Sequence, residues 1–397
     1  MPWLETTKVD QRDKFIRLVL TGEMTVAAAC RAHGISRPTG YKWLRRFEHL
    51  GLDGLLDQRR RPKKVPHKTP DELVAAIISV RKQYPTWGPK KVRAFLKMRR
   101  PKEAWPASST VGDILTRAGL VKPRKRSRGR VPRTQPLSHA TAPNALWTMD
   151  FKGQFRLGDG SYCYPLTVAD AYSRMLLGCI ALTSTRGDEA WDALERVFER
   201  YGLPSRIRTD NGAPFASRGL AGLSRMSAHW VSLGVELERI EPGHPEQNGR
   251  HERMHLTLKR ETARPSAEDR PKQQARFDDF QNYYNHIRPH EGIDQQTPGS
   301  LYEPSELRQE DRQPDYADCD MVRTVYPNGT LHLLGRGNKV HVGQALAGLE
   351  LGLIEDDDGL WLLRLGKTIV AMYDEEDSTL AAVPPEGLVE FPTKETT

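Results

Sequence analysis

Hydrophobic spacing changes character twice along this chain of 397 residues. Up to about residue 120, apolar residues recur every three or four positions, the spacing of helices with one buried face. "TVAAACRAHGISRPTGYKWLRRFEHLG" predicts an Ala-rich helix, a break at Gly34 and a second helix opened by Ser36, with Pro38 early in it. Small residues at a helix crossing, a tight glycine turn and a second helix form the helix-turn-helix pattern, so residues 1–60 are expected to be such a domain. From Asp71 to Leu120 the theme recurs. Val92, Phe95 and Leu96 share one face of "WGPKKVRAFLKM"; Val111, Ile114 and Leu115 share one face of "SSTVGDILTRAGLV", which opens on a serine cap. Residues 68–122 read as a second helical unit, either helix-turn-helix-like or a plain helical spacer.

From about Leu146 the period shortens. "ALWTMDF" alternates, with Trp147, Met149 and Phe151 on one side and Asp150 on the other. "YCYPLTVADAYSRMLLGCIAL" predicts two strands joined near Asp170–Arg174, and "DEAWDALERVFERYG" a helix ended by Gly202. "SRIRTDNG" and "VELERI" predict two more strands, and a final helix starts near Asn248. This order defines an α/β core with a mixed sheet over residues 141–300. Beyond Pro298 the chain is strand-rich, with turns at Asn328-Gly329 and Asp358-Gly359, and residues 318–385 are expected to form a small β-barrel. "GLWLLRLGKT" resembles a fragment of a phosphate-binding loop, but Gly359 and Gly366 are too far apart and the segment reads as a strand pair.

Charge adds a partner. Lys plus Arg number 60 against 51 Asp plus Glu, a net charge of +9, and the excess sits in the first third of the chain. Basic runs at Arg59–Lys64 and Arg124–Arg130 point to a polyanion, most simply nucleic acid; residues 123–140 read as a basic linker. Candidate DNA contacts are Arg37, Thr39, Tyr41, Lys42, Arg45 and Arg46 on the second helix, followed by Arg60, Arg61, Lys63 and Lys64. Lys90 and Lys91 in the second unit, and Arg124, Lys125, Arg126 and Arg128 in the linker, complete the basic set. The scattered Cys30, Cys163, Cys179 and Cys319 form no C-x-x-C pair, which speaks against a structural zinc site or disulfide scaffold. With no apolar leader or membrane-length run, a soluble, cytoplasmic, nucleoid-associated bacterial protein is expected.

Two motifs bear on chemistry. "NGRHERMHLTLKRE" contains H-E-x-x-H at His251–His255, the helical zinc-protease signature. A protease helix is mostly apolar around that motif, whereas Arg250, Arg253, Lys259 and Arg260 crowd this one and no third ligand follows. The alternative places Glu252, His255 and Lys259 on one polar stripe facing DNA, with Met254 and Leu258 packed inward. The second motif is dispersed. Asp150 lies near the end of the first strand, Asp210 where the fourth ends, and Glu252 in the first turn of the last helix, with Asn248 as a candidate cap. Strand ends and a helix start can converge, and hard cations such as Mg²⁺ bind carboxylate oxygens; paired ions can clamp an in-line displacement at phosphorus.

"LWTMDF", "TVADAYSR", "RTDNGAPF", "HPEQNGRHE" and "YYNHIRPHEGIDQQTP", in this order, resemble the catalytic core of insertion-sequence transposases and retroviral integrases, the Asp-Asp-Glu superfamily. The resemblance implies a ribonuclease-H-like fold from Leu146 to Pro298 and makes Asp150, Asp210 and Glu252 the catalytic, metal-binding triad, with Mg²⁺, or Mn²⁺ in its place. It implies binding of double-stranded DNA, both the element's terminal repeats and the target, by a homo-oligomer, with His244, Asn248 and Lys259 near the reacting strand. The expected activity is cleavage and strand transfer. A non-catalytic repressor derived from a transposase is the alternative, and a nuclease of the same fold a third reading. The interval from Asp210 to Glu252 is wider than usual for the superfamily, and "SRGLAGLSRMSAHWVSLG" is expected to hold the extra residues as a surface insertion. The zinc-binding His/Cys unit of retroviral integrases is missing.

Overall fold

The computed structural model describes residues 7–57, 68–121, 137–241, 243–333, 339–356 and 360–383. By packing, the chain divides into two units, Met1–Thr69 and Pro70–Thr397. No helix among the described residues is long and apolar enough to cross a membrane.

The first unit holds three helices, α1 (Lys8–Leu20), α2 (Val26–Ala32) and α3 (Arg37–Leu50). Side chains of Thr7, Thr25 and Ser36 accept from the first turns of the three helices, satisfying donors that a helix start leaves unpaired. Gly34 takes φ +62° in the turn between α2 and α3. Gly40 lies so close to its neighbour that a Cβ there would stand 2.4 Å from Cys30 Sγ, which explains a glycine inside a helix. Phe15, Ile16, Ala29, Cys30, Trp43 and Leu55 form the core. The helix-turn-helix reading holds here.

In the second unit, α4 (Asp71–Gln83), α5 (Pro89–Arg99) and α6 (Ser108–Arg117) enclose Ile77, Trp87, Val92 and Leu115. The serine cap expected for α6 is not formed: Ala107 occupies the cap position and makes no side-chain bond. These helices are not a free-standing module. Tyr283 and Ile287 of the α/β core pack into the same cluster, Trp87 Nε1 donates to Tyr283 Oη at 2.5 Å, and the two rings stack at 6.2 Å.

The α/β core has the order β2-β3-β1-β5-β6, with β4 on β3; its strands are β1 (Trp147–Phe151), β2 (Phe155–Arg156), β3 (Tyr162–Asp170), β4 (Leu176–Leu182), β5 (Arg206–Thr209) and β6 (Glu236–Arg239). β1, β3 and β4 are antiparallel neighbours, while β5 and β6 continue parallel to β1. Helices α7 (Gly187–Tyr201) and α8 (Arg225–Ser232) cover one face, meeting Trp147, Met149 and Ile207. Helices α9 (Gly249–Thr262) and α10 (Arg270–Asn282) cover the other, where Met254, Leu258, Phe277 and Phe280 meet Cys163, Leu176 and Cys179. This is a ribonuclease-H-like layout. Asn285, in the π-turn after α10, pins that helix to the sheet by accepting from the Leu176 N–H and donating to its C=O, both at 2.8 Å.

The C-terminal strands form no closed barrel among the described residues. β7 (Met321–Thr324), β10 (Glu350–Glu355), β11 (Leu360–Leu365), β12 (Thr368–Asp374) and β13 (Thr379–Ala382) make an open antiparallel sheet in the order β13-β12-β11-β10-β7. β8 (Thr330–His332) and β9 (Lys339–His341) pair separately. A barrel buries its apolar face by closing on itself; this sheet buries it on a neighbour. Ala221, Leu223, Ala228 and Val231 share a core with Leu351, Leu353, Leu363 and Val370. The segment expected as a surface insertion is therefore the platform that carries the C-terminal sheet. The "GLWLLRLGKT" segment is a strand pair, β11 and β12, turning at Gly366 with φ +54°, whereas the turn predicted at Asp358-Gly359 lies outside the described residues.

Trp87 is fully buried, so Trp87→Ala should cost about 3–5 kcal/mol. The denaturant midpoint of the full chain should fall accordingly; an unchanged midpoint would show that α4–α6 do not share the core's stability.

Candidate active site

Three candidate acids come from three elements, and the charges of Asp210 and Glu252 both act on Asp150. β1 and β5 run parallel with Thr148 opposite Arg208, so two residues on, Asp150 stands opposite Asp210 just past the end of β5. Asp210 Oδ1 accepts the Gly212 N–H at 3.1 Å, a local turn that fixes its backbone. Glu252 is exposed in the first turn of α9. Burial pushes the Asp150 carboxyl up to about 7, with the charges of Asp210 and Glu252 adding to the rise against the Phe151 N–H and Lys152. The three acids share one electrostatic neighbourhood, at strand ends where parallel α/β sheets place their sites.

The two histidines of H-E-x-x-H point the other way. His251 and His255 are 3% and 5% exposed, on the buried stripe of α9 with Met254, Leu258 and Thr262. His251 bonds through Nδ1 to Thr148 Oγ1 and through Nε2 to Thr167 Oγ1, each at 2.7 Å. His255 Nε2 meets the same Thr167 hydroxyl at 2.7 Å, and its Nδ1 lies 3.6 Å from Asp150 Oδ2. Burial lowers the pKa of both rings, that of His251 to about 3. With both nitrogens engaged, His251 has no free lone pair for zinc, and the motif is a helix-to-sheet fastening. The polar stripe expected for Glu252, His255 and Lys259 is thus broken: His255 faces the sheet, because positions 251, 254, 255, 258 and 262 recur at core-facing helical spacing.

The candidate DNA contacts divide. Arg37, Tyr41, Lys42 and Arg45 are exposed along α3. Thr39 is half-buried, its hydroxyl 2.9 Å from Ser36 Oγ, and Arg46 is turned inward, donating to the Leu56 carbonyl at 2.9 Å. Lys90 pairs with Glu291 on the surface. Lys91 donates to the Pro289 carbonyl, and burial with the nearby Arg288 lowers its pKa to about 8; it joins α5 to the core instead of facing solvent. His244 is partly exposed with Glu241 Oε2 at 3.8 Å, and Lys259 is exposed. Asn248 occupies the expected N-cap position of α9 without a side-chain cap bond, and at 5% exposed it is not an open DNA contact. Arg60, Arg61, Lys63, Lys64, Arg124, Lys125, Arg126 and Arg128 lie outside the described residues.

Composition did not point to Arg174. It lines a 640 Å³ cavity with Arg250, Glu252, Arg253 and Arg288, and holds φ +68°, a left-handed conformation that is uncommon outside glycine. A turn after β3 was legible; that it brings an arginine to the cavity that Glu252 lines was not.

Comparison with known proteins gives matches along most of the chain. Residues 11–63 match a helix-turn-helix domain, residues 39–115 a homeodomain-like domain, and residues 140–245 and 233–298 the integrase core domain. The 39.2 kDa protein of insertion element IS476 from Xanthomonas euvesicatoria is 25% identical over 70% of this chain and 73% of its own length. The 31.7 kDa protein of insertion element IS407 from Burkholderia multivorans is 32% identical over 33% of this chain and 45% of its own. Among solved structures, the HTLV-2 integrase catalytic core domain in complex with magnesium is 16% identical, covering 42% of this chain and 100% of that one, with TM-score 0.34. The chain thus carries helix-turn-helix domains and an integrase core domain and is similar to insertion-element proteins, which agrees with the resemblance to transposases of the Asp-Asp-Glu, retroviral-integrase-like superfamily.

Buried neutral histidines make a pH prediction. His290, hydrogen-bonded to the Tyr284 carbonyl at 3.0 Å, is lowered by burial from the usual 6.5 to about 3, like His251. Below pH 6.5 the unfolded chain takes up protons that the folded chain excludes, so their stabilisation is complete above 6.5 and is lost as pH falls toward 3. Asp150, raised to about 7, acts in the opposite sense over the same range. The difference isolates the histidine: between about pH 7 and 5, wild type should lose more denaturant stability than His290→Gln, whose amide can keep the bond to Tyr284. Equal losses would contradict a neutral His290.

Proposed function

We propose that the chain is an active DNA transposase: α3 recognises the terminal repeats of its element, and Asp150, Asp210 and Glu252 support DNA cleavage and strand transfer. The observation that carries this reading is the Asp150 carboxyl at the end of β1, raised by burial and by the charges of Asp210 and Glu252. A binding protein has no use for carboxylates crowded beside phosphates, since they repel the ligand and one another. The donor set fits a hard divalent ion: oxygen ligands, partly buried, with uncompensated negative charge. A divalent cation held by the three acids, Mg²⁺ or Mn²⁺ in its place, supplies positive charge to the attacking and leaving oxygens of an in-line displacement.

The chain's own residues supply binding and position. Arg174, Arg250 and Arg253, lining the cavity at Glu252, match the phosphates of a DNA strand laid across the acids. Lys259, exposed further along α9, extends that track. Water attacks the phosphodiester at each end of the element and frees a 3′-hydroxyl; that hydroxyl then attacks a target phosphodiester and displaces its 3′ oxygen. No protein nucleophile is needed. The exposed Arg37, Tyr41, Lys42 and Arg45 give α3 the groups for major-groove and phosphate contacts. Pairing of two element ends by a homo-oligomer belongs to the same reading.

The test is strand transfer by the full chain on labelled DNA ends with Mg²⁺ and a plasmid target. Asp150→Asn and Glu252→Gln should each reduce joining by about a hundredfold or more while end binding persists. Arg45→Ala should weaken end binding roughly tenfold. Joining that survives in both acid variants would overturn the triad; tight end binding with no chemistry in wild type would favour the repressor.

A further inference from the structure

The hydrogen bonds beneath the carboxylates assign the protons of the two buried histidines. Thr167 has one hydroxyl proton and three close partners: the Asp150 carbonyl oxygen at 3.0 Å, His251 Nε2 at 2.7 Å and His255 Nε2 at 2.7 Å. Thr148 gives its own hydroxyl proton to the Ala169 carbonyl at 3.3 Å, so the His251 Nδ1–H donates to Thr148 Oγ1 at 2.7 Å and His251 Nε2 accepts the Thr167 proton. His255 then donates from Nε2 into a Thr167 lone pair, and because a neutral imidazole carries one N–H, its Nδ1 is left an acceptor. His255 Nδ1 has no donor among the described residues; it faces Asp150 Oδ2, itself an acceptor, at 3.6 Å.

When Asp150 is ionised, two acceptors face one another at the helix–sheet interface, and a cation between them satisfies both. The separation has the right size. Two metal–ligand bonds of about 2.1 Å span about 3.0 Å at a right angle and about 4.2 Å in line, and 3.6 Å falls between. The possible ligand atoms of Asp150, His251 and His255 all lie within 4.8 Å of one another. His251 has both nitrogens in use, so His255 is the ring with a lone pair to offer.

We propose that His255 is a fourth ligand of this site, coordinating through Nδ1 the divalent ion that Asp150 holds. The proposal rests on the carboxylate site above and deepens it: an oxygen-only site becomes a mixed nitrogen–oxygen site. Mg²⁺ binds nitrogen poorly, whereas ions with more affinity for imidazole gain from it. Replacing the ring should therefore cost Mn²⁺ more than Mg²⁺. Thr148, Thr167 and His251 serve as positioning residues, because they hold the His255 tautomer that leaves Nδ1 free.

The experiment is pulsed electron paramagnetic resonance of Mn²⁺ titrated into the full-length protein, with Mn²⁺ and Mg²⁺ affinities measured alongside. Wild type should show nitrogen modulation from one imidazole, and [¹⁵N]histidine labelling should change it. His255→Gln, whose amide can keep the Thr167 bond but has nothing at Nδ1, should lose the modulation. It should bind Mn²⁺ about tenfold more weakly, with a smaller change for Mg²⁺. The wild-type spectrum decides the point even if the variant fails to fold. Mn²⁺ binding that Asp150→Asn abolishes, but without nitrogen modulation, would overturn the His255 assignment and leave the carboxylate site standing. Modulation that survives His255→Gln would do the same. Absence of Mn²⁺ binding would overturn both.

Discussion

Burial of Asp150 within electrostatic reach of two further carboxylates is the constraint on which the α/β core turns. Like charges repel, and burial of Asp150 strengthens the effect, which is why its carboxyl is raised to about 7. Left to itself, such a cluster would move apart. The surrounding architecture prevents that from three directions: parallel pairing sets Asp150 beside Asp210, the turn at Gly212 fixes the backbone after β5, and the packing of α9 fixes Glu252.

The position of α9 is the least obvious of these. Met254 and Leu258 give it an apolar footing on the sheet. Apolar contact is non-directional and would tolerate small slides; the hydrogen bonds from His251 and His255 to Thr148 and Thr167 would not. The same helix then turns Glu252 and Arg253 outward to the arginine-lined cavity. Further out, Trp87 and Lys91 fasten the helices before the core to the segment after α10, and the C-terminal sheet is seated on the platform around α8. Elements that read as separate beads along the chain are one packed body from Pro70 onward.

Much of this was legible because it rests on local periodicity. Alternation in "LWTMDF" set Asp150 apart from Trp147 and Met149, and the glycine turn with Ser36 and Pro38 marked α3. What escaped was decided by long-range packing. A barrel and an open sheet have the same strand and turn signals, and only the apolar surface at Ala221–Val231 distinguishes them. Lys91 and Arg46 look like any basic residue until a distant carbonyl engages them. The burial of His251 and His255 is written in the phase of α9, since they share the helical spacing of Met254 and Leu258.

If three acids crowd one cation site, a divalent ion must stabilise the fold by relieving their repulsion. The direct measurement is the unfolding midpoint of the full chain against Mg²⁺ at constant ionic strength. Wild type should gain about 2.7 kcal/mol at a hundred times the dissociation constant. Asp150→Asn and Glu252→Gln should gain much less, while being no less stable than wild type without the ion. A midpoint indifferent to Mg²⁺, or an equal rise in all three proteins, would contradict a shared site at Asp150, Asp210 and Glu252.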